Sequence, residues 1–318
     1  MNSLHDAVLA AEARIRPYVR ETPLVRAFDL SRACGGPVFL KLENLQATGS
    51  FKLRGALNKL LAMDEAQRRR GIVTASTGNH GLAVAHALQI LGLHGTIFLP
   101  ENASLQKVER LRQYDVALHF YGHDGIDAER EARRVGLQET RPYISPYNDR
   151  DVVAGQGTLA IELLRRLDGV DCVLASVGGG GLIAGVGGFL KAVRPEIEVI
   201  GCLPQHSPVM YASIRAGRIV EMPVQPTLSD GTAGGIEADA LTLALCRQFV
   251  DRWVLVDEAE IRQGMRHVFE HHRLVVEGAA GVTVAAALQC KEKLAGKTTA
   301  LILCGGNIDI ETFKAAVC

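Results

Sequence analysis

The chain has 318 residues, of which 47% are hydrophobic and 22% are charged, and its 35 basic side chains balance 35 acidic ones. This balance gives no net field that would recruit nucleic acid or an anionic membrane, and no stretch reaches the roughly 18 apolar residues of a membrane span. The seven scattered cysteines form no C-x-x-C pair, which favours reduced thiols over a disulfide framework or a zinc site. Because the N-terminal residues lack the charged-then-apolar order of a signal peptide, we expect a cytoplasmic protein.

Apolar runs typical of strands alternate with helical patterns along the whole chain. Strands are predicted at 38–42, 71–75, 96–99, 117–121, 172–176, 198–202, 253–256 and 299–303. Helices are predicted at 53–67, 81–91, 105–114, 125–135, 157–167, 182–193, 236–249, 258–271 and 279–294. Continuous apolar strands separated by helices indicate parallel strands covered on both faces, and therefore a doubly wound α/β sheet.

No Ser/Pro-rich linker divides the chain, although its length is sufficient for two domains. A second domain would therefore be inserted into the first. Residues 72–145 contain three or four compact strand–helix repeats and are the predicted small α/β domain. Residues 1–71 and 146–318 together form the predicted large domain.

Two glycine-rich loops each lie between a predicted strand and a predicted helix. The first is S-T-G-N-H-G at 76–81, and the second is the run of four glycines at 178–181. A helix start offers free backbone N–H groups and the positive end of a dipole, so both loops can bind anions, such as the phosphate of a ligand and the carboxylate of a substrate. Tight packing alone would also account for a single glycine loop. Neither loop fits a dinucleotide or a nucleoside-triphosphate motif.

Lys52 lies just ahead of a helical pattern, between Phe51 and Leu53, and follows Ser50, a suitable helix cap. An amine in a partly apolar setting loses its proton more readily and can attack a carbonyl. Taken alone, such a lysine is more often a surface residue. These features permit a Schiff-base lysine without establishing one.

Four motifs follow one another along the chain: S-F-K-L-R-G at 50–55, S-T-G-N-H-G at 76–81, V-G-G-G-G-L-I-A-G at 177–185 and C-G-G-N at 304–307. Further landmarks are F-L-K-L-E-N-L-Q at 39–46, A-G-Q-G-T at 154–158 and V-E-G-A-A-G at 276–281. Together they resemble the fold-type II (tryptophan synthase beta-like) pyridoxal-phosphate enzymes, and within them the serine/threonine dehydratase and serine racemase branch. The resemblance extends from about residue 15 to residue 307.

The resemblance implies a role for each matching residue. Lys52 would carry pyridoxal 5'-phosphate as a Schiff base and act as the catalytic residue, and Phe51 would pack against the cofactor ring. Asn79 would donate a hydrogen bond to the phenolic oxygen of the ring, and Cys304 would face the pyridine nitrogen. The residues expected to take the cofactor phosphate are Gly178, Gly179, Gly180, Gly181 and Leu182. Those expected to hold the substrate carboxylate are Ser76, Thr77, Gly78, Asn79 and His80.

A neutral thiol at Cys304 would leave the pyridine nitrogen unprotonated, which makes the ring a weaker electron sink and favours rapid loss of a β-substituent over transamination. The resemblance therefore predicts a lyase of EC 4.3.1 type. It would convert L-threonine, L-serine or a related 3-hydroxy amino acid into a 2-oxo acid and ammonia. It also implies a homodimer.

Several departures leave alternatives open. Thr77 stands where the racemases carry a serine proposed as the opposite-face base, so a serine or amino-acid racemase is the alternative enzyme. Tyr147 stands where the family often has an asparagine near the cofactor, and the amino-acid sequence at 228–237 differs from that of most dehydratases. The substrate could therefore be bulkier or acidic, such as phenylserine or 3-hydroxyaspartate. Candidates for that selectivity are His206, Tyr211 and Glu237, each of which is also compatible with a surface or capping role.

The segment at 201–208 lacks the carboxylates that the family places there. With Leu203 and Val209 in the corresponding positions, a hard divalent cation would find no oxygen ligands. We therefore predict no metal at this place, and the sequence assigns no metal ligands elsewhere. A non-catalytic ligand-binding module is the remaining alternative, and the intact lysine and both anion loops argue against it.

Overall fold

The computed structural model describes residues 3–318 as an α/β fold with two sheets. The strands are β1 (Leu24–Arg26), β2 (Val38–Leu42), β3 (Ile72–Ala75), β4 (Gly95–Leu99), β5 (Ala117–Phe120), β6 (Cys172–Ser176), β7 (Glu198–Pro204), β8 (Arg252–Val256) and β9 (Thr299–Leu303). The helices are α1 (Leu4–Ile15), α2 (Phe28–Cys34), α3 (Lys52–Ala62), α4 (Glu65–Arg69), α5 (Asn79–Ile90), α6 (Leu105–Leu111), α7 (Gly125–Gln138), α8 (Arg150–Arg166), α9 (Gly181–Val193), α10 (Val209–Ala216), α11 (Leu241–Phe249), α12 (Glu258–His272), α13 (Gly278–Gln289), α14 (Lys291–Leu294) and α15 (Ile310–Val317). Two short 3-10 helices lie at Glu43–Leu45 and Asp230–Thr232.

The larger sheet has the strand order β1-β2-β9-β6-β7-β8, and the smaller sheet has the order β3-β4-β5. Every neighbouring pair is parallel except β1 and β2, which are antiparallel. The predicted α/β architecture is therefore confirmed, with an added antiparallel edge. The sequence pattern missed β1 because three residues are too few to display an alternating period.

Helix α8 packs closely against both α3 and α9, and glycines make this possible. A Cβ atom at Gly155 of α8 would lie 2.5 Å from the carbonyl oxygen of Arg54 in α3. One at Gly157 would lie 2.8 Å from the carbonyl oxygen of Gly185 in α9. The motif A-G-Q-G-T is therefore the contact face of α8, which begins at residue 150 and not at residue 157 as the pattern predicted.

The two glycine-rich loops and Cys304 lie at the carboxyl ends of parallel strands. The loop at 76–78 follows β3, the loop at 177–180 follows β6, and Cys304 follows β9. Ligands of open α/β sheets bind at this edge. α9 and α13 are buried over nearly their whole length against the larger sheet, which fixes the position of these loops. Within residues 3–318, no helix combines the length and the apolar character that a bilayer crossing requires.

Candidate functional site

Lys52 is the first residue of α3, and the end of β9 holds it in place. The backbone N–H of Phe51 donates to the carbonyl oxygen of Cys304 at 3.1 Å, and Ser50 forms a bridge with Gly305. The Lys52 ammonium donates to the carbonyl oxygen of Pro146 at 2.9 Å. Burial lowers the pKa of this amine to about 8, although nearby groups, including the carboxylate of Glu277, oppose the shift. In a substantial fraction of the molecules, the Lys52 amine is therefore neutral and nucleophilic near physiological pH.

The glycine run at 178–181 forms a cradle that has no room for side chains. Cβ atoms at Gly178 and Gly180 would lie 2.9 Å from the Cα atom of Thr232 and 2.8 Å from the sulfur of Cys246. One at Gly179 would clash with the ring of Tyr147. Gly180 has a φ of +86°, which favours glycine. No side chain of residues 3–318 caps α9, so its first N–H groups stay available to an anion.

Cys304 lies at the end of β9, where its side chain is almost completely buried. The Ser176 hydroxyl donates to its sulfur at 3.3 Å. Burial raises the pKa of the Cys304 thiol far above its ordinary value, so the thiol stays neutral. This is the property that the sequence interpretation required of the residue.

A buried carboxylate that the sequence interpretation did not assign lies beside the first loop. The Asn79 amide donates to both oxygens of Glu277, at 2.8 and 3.0 Å, and the backbone N–H of Asn307 donates to Glu277 at 3.2 Å. The Asn307 amide donates to the side-chain oxygen of Asn79 at 2.6 Å. Burial raises the pKa of Glu277 to about 7, although these hydrogen bonds oppose the rise. The motif V-E-G-A-A-G contained the signal, a single acid at the start of an apolar helix.

The five residues predicted for the substrate carboxylate do not all face the same space. Thr77, Gly78 and Asn79 line a cleft of about 880 Å³ between α5, α6 and the ends of the larger sheet. Ser76 accepts the backbone N–H of Gly78 at 3.2 Å. The His80 ring is buried against the carbonyl oxygen of Ile144, at 3.0 Å.

Burial lowers the pKa of His80 to about 3, so its ring is neutral. With one ring nitrogen donating to a carbonyl oxygen, the other has no proton to offer a carboxylate. His80 can therefore contribute to an anion site only through its backbone N–H in the first turn of α5. Its place among the carboxylate-binding residues stays a prediction.

The three selectivity candidates occupy different surroundings. His206 lines the cleft, and its Nδ1 contacts the carbonyl oxygen of Pro226 at 2.6 Å. Tyr211 lies on α10 beside Arg215. Glu237 forms an ion pair with Arg133 of α7 at 2.7 Å.

The ring of Tyr147 lies against the glycine cradle, and the backbone N–H of Glu237 donates to its hydroxyl at 2.9 Å. Tyr147 therefore supports the loop that carries Gly179. This contact places it beside the predicted phosphate site.

The residues fit pyridoxal phosphate: an amine of lowered pKa, an anion cradle without side chains and a neutral thiol lie around one set of strand ends. Residues 15–305 match the family described as pyridoxal-phosphate dependent enzyme, and the chain belongs to this family. The L-threonine ammonia-lyase of Thermotoga maritima is 40% identical over 98% of this chain and 77% of its own length. The beta-hydroxyaspartate dehydratase of Paracoccus denitrificans is 33% identical over 96% of this chain and 97% of its own length.

The solved structure of maize serine racemase superposes with a TM-score of 0.93 at 32% identity, covering 99% of this chain and 97% of that one. The predicted family, fold class and cofactor are thereby confirmed.

Gly179→Ala provides a test of the cradle. A methyl group there must displace the Tyr147 ring or the loop, so we expect pyridoxal phosphate to bind at least about tenfold more weakly, as overpacking of this kind costs about 1–3 kcal/mol. Equilibrium dialysis of the apo-protein against the cofactor measures the change. Gly169→Ala is the matched control, because a methyl group there meets no atom of residues 3–318 within 4 Å. Equal affinities in the two variants would contradict the assignment of the cradle.

Proposed function

We propose that the chain is an ammonia-lyase that converts L-threonine, L-serine or a related 3-hydroxy amino acid into a 2-oxo acid and ammonium. The observation that carries this proposal is Lys52, with its pKa lowered to about 8, beside a thiol that burial keeps neutral. The threonine ammonia-lyase relative supports the reaction class. For L-threonine the products are 2-oxobutanoate and ammonium, and for L-serine they are pyruvate and ammonium.

Pyridoxal phosphate, when bound, supplies an aldehyde that captures the substrate amine and a ring that accepts electron density from the α-carbon. We assign the phosphate to the N–H groups of residues 178–182 and the substrate carboxylate to those of the loop at 76–80. Lys52, once its amine is free, removes the α-proton as general base, which a pKa of about 8 permits near neutral pH. Cys304 would offer a neutral partner to the ring nitrogen, which would favour loss of the β-hydroxyl.

The proposal is tested by incubating the purified enzyme with L-threonine or L-serine and measuring 2-oxo acid and ammonium. We expect the two products in equal amounts. Incubation with L-serine in deuterated water tests the racemase alternative, which Thr77 in the cleft wall keeps open. Formation of deuterated D-serine faster than pyruvate would overturn the lyase assignment.

Arg110 favours an acidic substrate as a second candidate. This half-buried side chain lines the cleft and donates to the side-chain oxygen of Asn307. Among residues 3–318, no carboxylate lies within ion-pair distance of Arg110, whereas Lys107, its neighbour on α6, pairs with Asp230 at 3.0 Å. A partly desolvated guanidinium without a counter-ion suits a second substrate carboxylate. The relative from Paracoccus denitrificans is named for beta-hydroxyaspartate, an amino acid with a second carboxylate.

We expect Arg110→Gln to lower kcat/KM for 3-hydroxyaspartate by a factor on the order of ten to a hundred, the usual value of a hydrogen bond to a charged group, and to change that for L-threonine by less than about threefold. Lys107→Gln is the control, since an aspartate already neutralises that lysine. A uniform loss for both substrates would assign Arg110 to the α-carboxylate or to the support of Asn307. No turnover of 3-hydroxyaspartate by the unaltered enzyme would eliminate this candidate.

We further propose that residues 1–71 and 146–318 form a large domain and that residues 72–145 form an inserted domain. The inserted domain contains all three strands of the smaller sheet.

We also propose that the protein is a cytoplasmic homodimer. Light scattering coupled to gel filtration would test the dimer.

A further inference from the structure

A cluster of imidazoles and one carboxylate lies between α2 and α12, and none of its residues lines the cleft. Asp29 is in the first turn of α2, and His267 and His271 lie one turn apart on α12. The Nε2 atom of His267 contacts one Asp29 oxygen, and the His267 and His271 rings are 4.5 Å apart between their centroids. One potential ligand atom from each of the three residues lies within 4.8 Å of the other two.

A fourth residue orients the carboxylate from its other side. The Nε2 atom of His272, on a side chain that is only 12% exposed, lies 3.3 Å from the second oxygen of Asp29. One oxygen thus faces His267 while the other lies near the ring of His272. An imidazole beside the second oxygen of a carboxylate can become its outer-shell partner in a metal site.

The local charge favours a cation. Asp29 brings a carboxylate to this cluster, and its side chain is 20% exposed. α12 ends at His272, so the negative end of its dipole also points towards this cluster.

We propose that Asp29, His267 and His271 bind one divalent transition-metal cation of the Zn²⁺ class, with water in the remaining position. Two imidazoles and one carboxylate suit such a cation, whereas Mg²⁺ and Ca²⁺ require more oxygen ligands. Bonds of about 2.1 Å place tetrahedral ligand atoms roughly 3.4 Å apart, so the contacting Asp29 and His267 atoms must separate and the three side chains must readjust around a cation. The exposed His271 side chain can supply this movement by rotation.

No sequence pattern could have revealed this cluster, because Asp29 and His267 are 238 residues apart. The sequence predicted no metal at 201–208 and assigned no metal ligands elsewhere, so the proposed site departs from that prediction. A bound cation would join α2 to α12 and would stabilise the folded chain by mass action. Catalysis in the cleft does not depend on it.

Isothermal titration of the cofactor-loaded enzyme with Zn²⁺ tests the site, in a Cys318→Ser background because that thiol is exposed. We expect one Zn²⁺ per chain, a higher Tm with Zn²⁺ and no heat with Mg²⁺. His271→Gln should weaken binding at least about tenfold, the scale of a lost ligand or outer-shell contact, and should leave turnover of L-threonine unchanged. His267→Gln should act in the same way.

His123→Gln is the matched control, since this histidine is exposed and lies far along the chain from the cluster. We expect it to bind Zn²⁺ with the affinity of the parent. Equal affinity in the control and in His271→Gln would overturn the proposal, as would an absence of binding to the parent. His271 is exposed and lies at the end of α12, so its replacement tests the ligand set even where His267→Gln impairs folding.

Discussion

Replacing Lys52 by alanine is expected to lower kcat/KM for L-threonine by a factor on the order of 10⁴ or more, because the change removes both the nucleophile that anchors the cofactor and the general base. The lowered pKa of about 8 makes Lys52 suited to both tasks, since an amine of ordinary pKa would be almost fully protonated at neutral pH. Steady-state kinetics with 2-oxo acid detection measures the loss.

Lys59 provides the matched control, seven residues further along the same helix. Its ammonium pairs with Asp149 at 2.7 Å and with Asp151 at 3.1 Å, and these charges raise its pKa despite partial burial. We expect Lys59→Ala to retain activity and the visible absorbance of bound cofactor. If the Lys52→Ala protein still yields a borohydride-reducible link to pyridoxal phosphate, another amine holds the cofactor.

Features of the site that are local in sequence could be predicted from the sequence. The position of Lys52 at a helix start and the two glycine loops after strands are contained in windows of about ten residues, and the structure places all three at strand or helix ends as expected. Their chemical roles came from the resemblance, since the lysine and the loops alone were also compatible with ordinary surface and packing roles.

Features that depend on long-range contacts were not predicted. Glu277 meets Asn79 across 198 residues, and no periodicity links the two. The start of α8 was also predicted wrongly, because glycines at 155 and 157 have poor helix propensity. Tertiary packing overrides that propensity here, since only glycine lets α8 lie so close to α3 and α9.

Arg54→Leu is expected to destabilise the fold by about 3–5 kcal/mol, the usual cost of removing one partner from a buried ion pair. Arg54 is fully buried two residues after Lys52, and its guanidinium donates to Glu43 at 2.8 and 2.9 Å and to Glu162 at 2.7 and 2.9 Å. Lys41 donates to Glu162 at 2.5 Å, and the partly exposed Arg16 also pairs with Glu162 at 2.5 Å, so three cations surround the two carboxylates. Without Arg54, the two carboxylates keep only part of that compensation.

Urea denaturation near neutral pH measures this loss, and Arg69→Ala is the control, because its pair with Glu65 is exposed and should contribute less than about 1 kcal/mol. Arg54→Lys retains the charge but lacks the planar guanidinium that bonds both carboxylates, so its loss of unfolding free energy should lie between those of Arg54→Leu and Arg69→Ala. This variant keeps the test informative if the leucine variant does not fold. A loss below about 1 kcal/mol in Arg54→Leu would mean that the network contributes little to stability.

The same network predicts the direction of the pH dependence. Burial opposes ionisation of Glu162, but Arg54 and Lys41 outweigh it and lower its pKa from 4.5 to about 2. Its contribution is therefore fully present above its ordinary pKa and is lost as the pH falls from about 5 towards 2. In Arg54→Leu the carboxylate can take up a proton at higher pH, which removes its unpaired charge. The difference in unfolding free energy between the parent and the variant should consequently be smaller at about pH 4 than at neutral pH. A difference that stays constant over this range would show that the loss arises from packing and not from the buried charges.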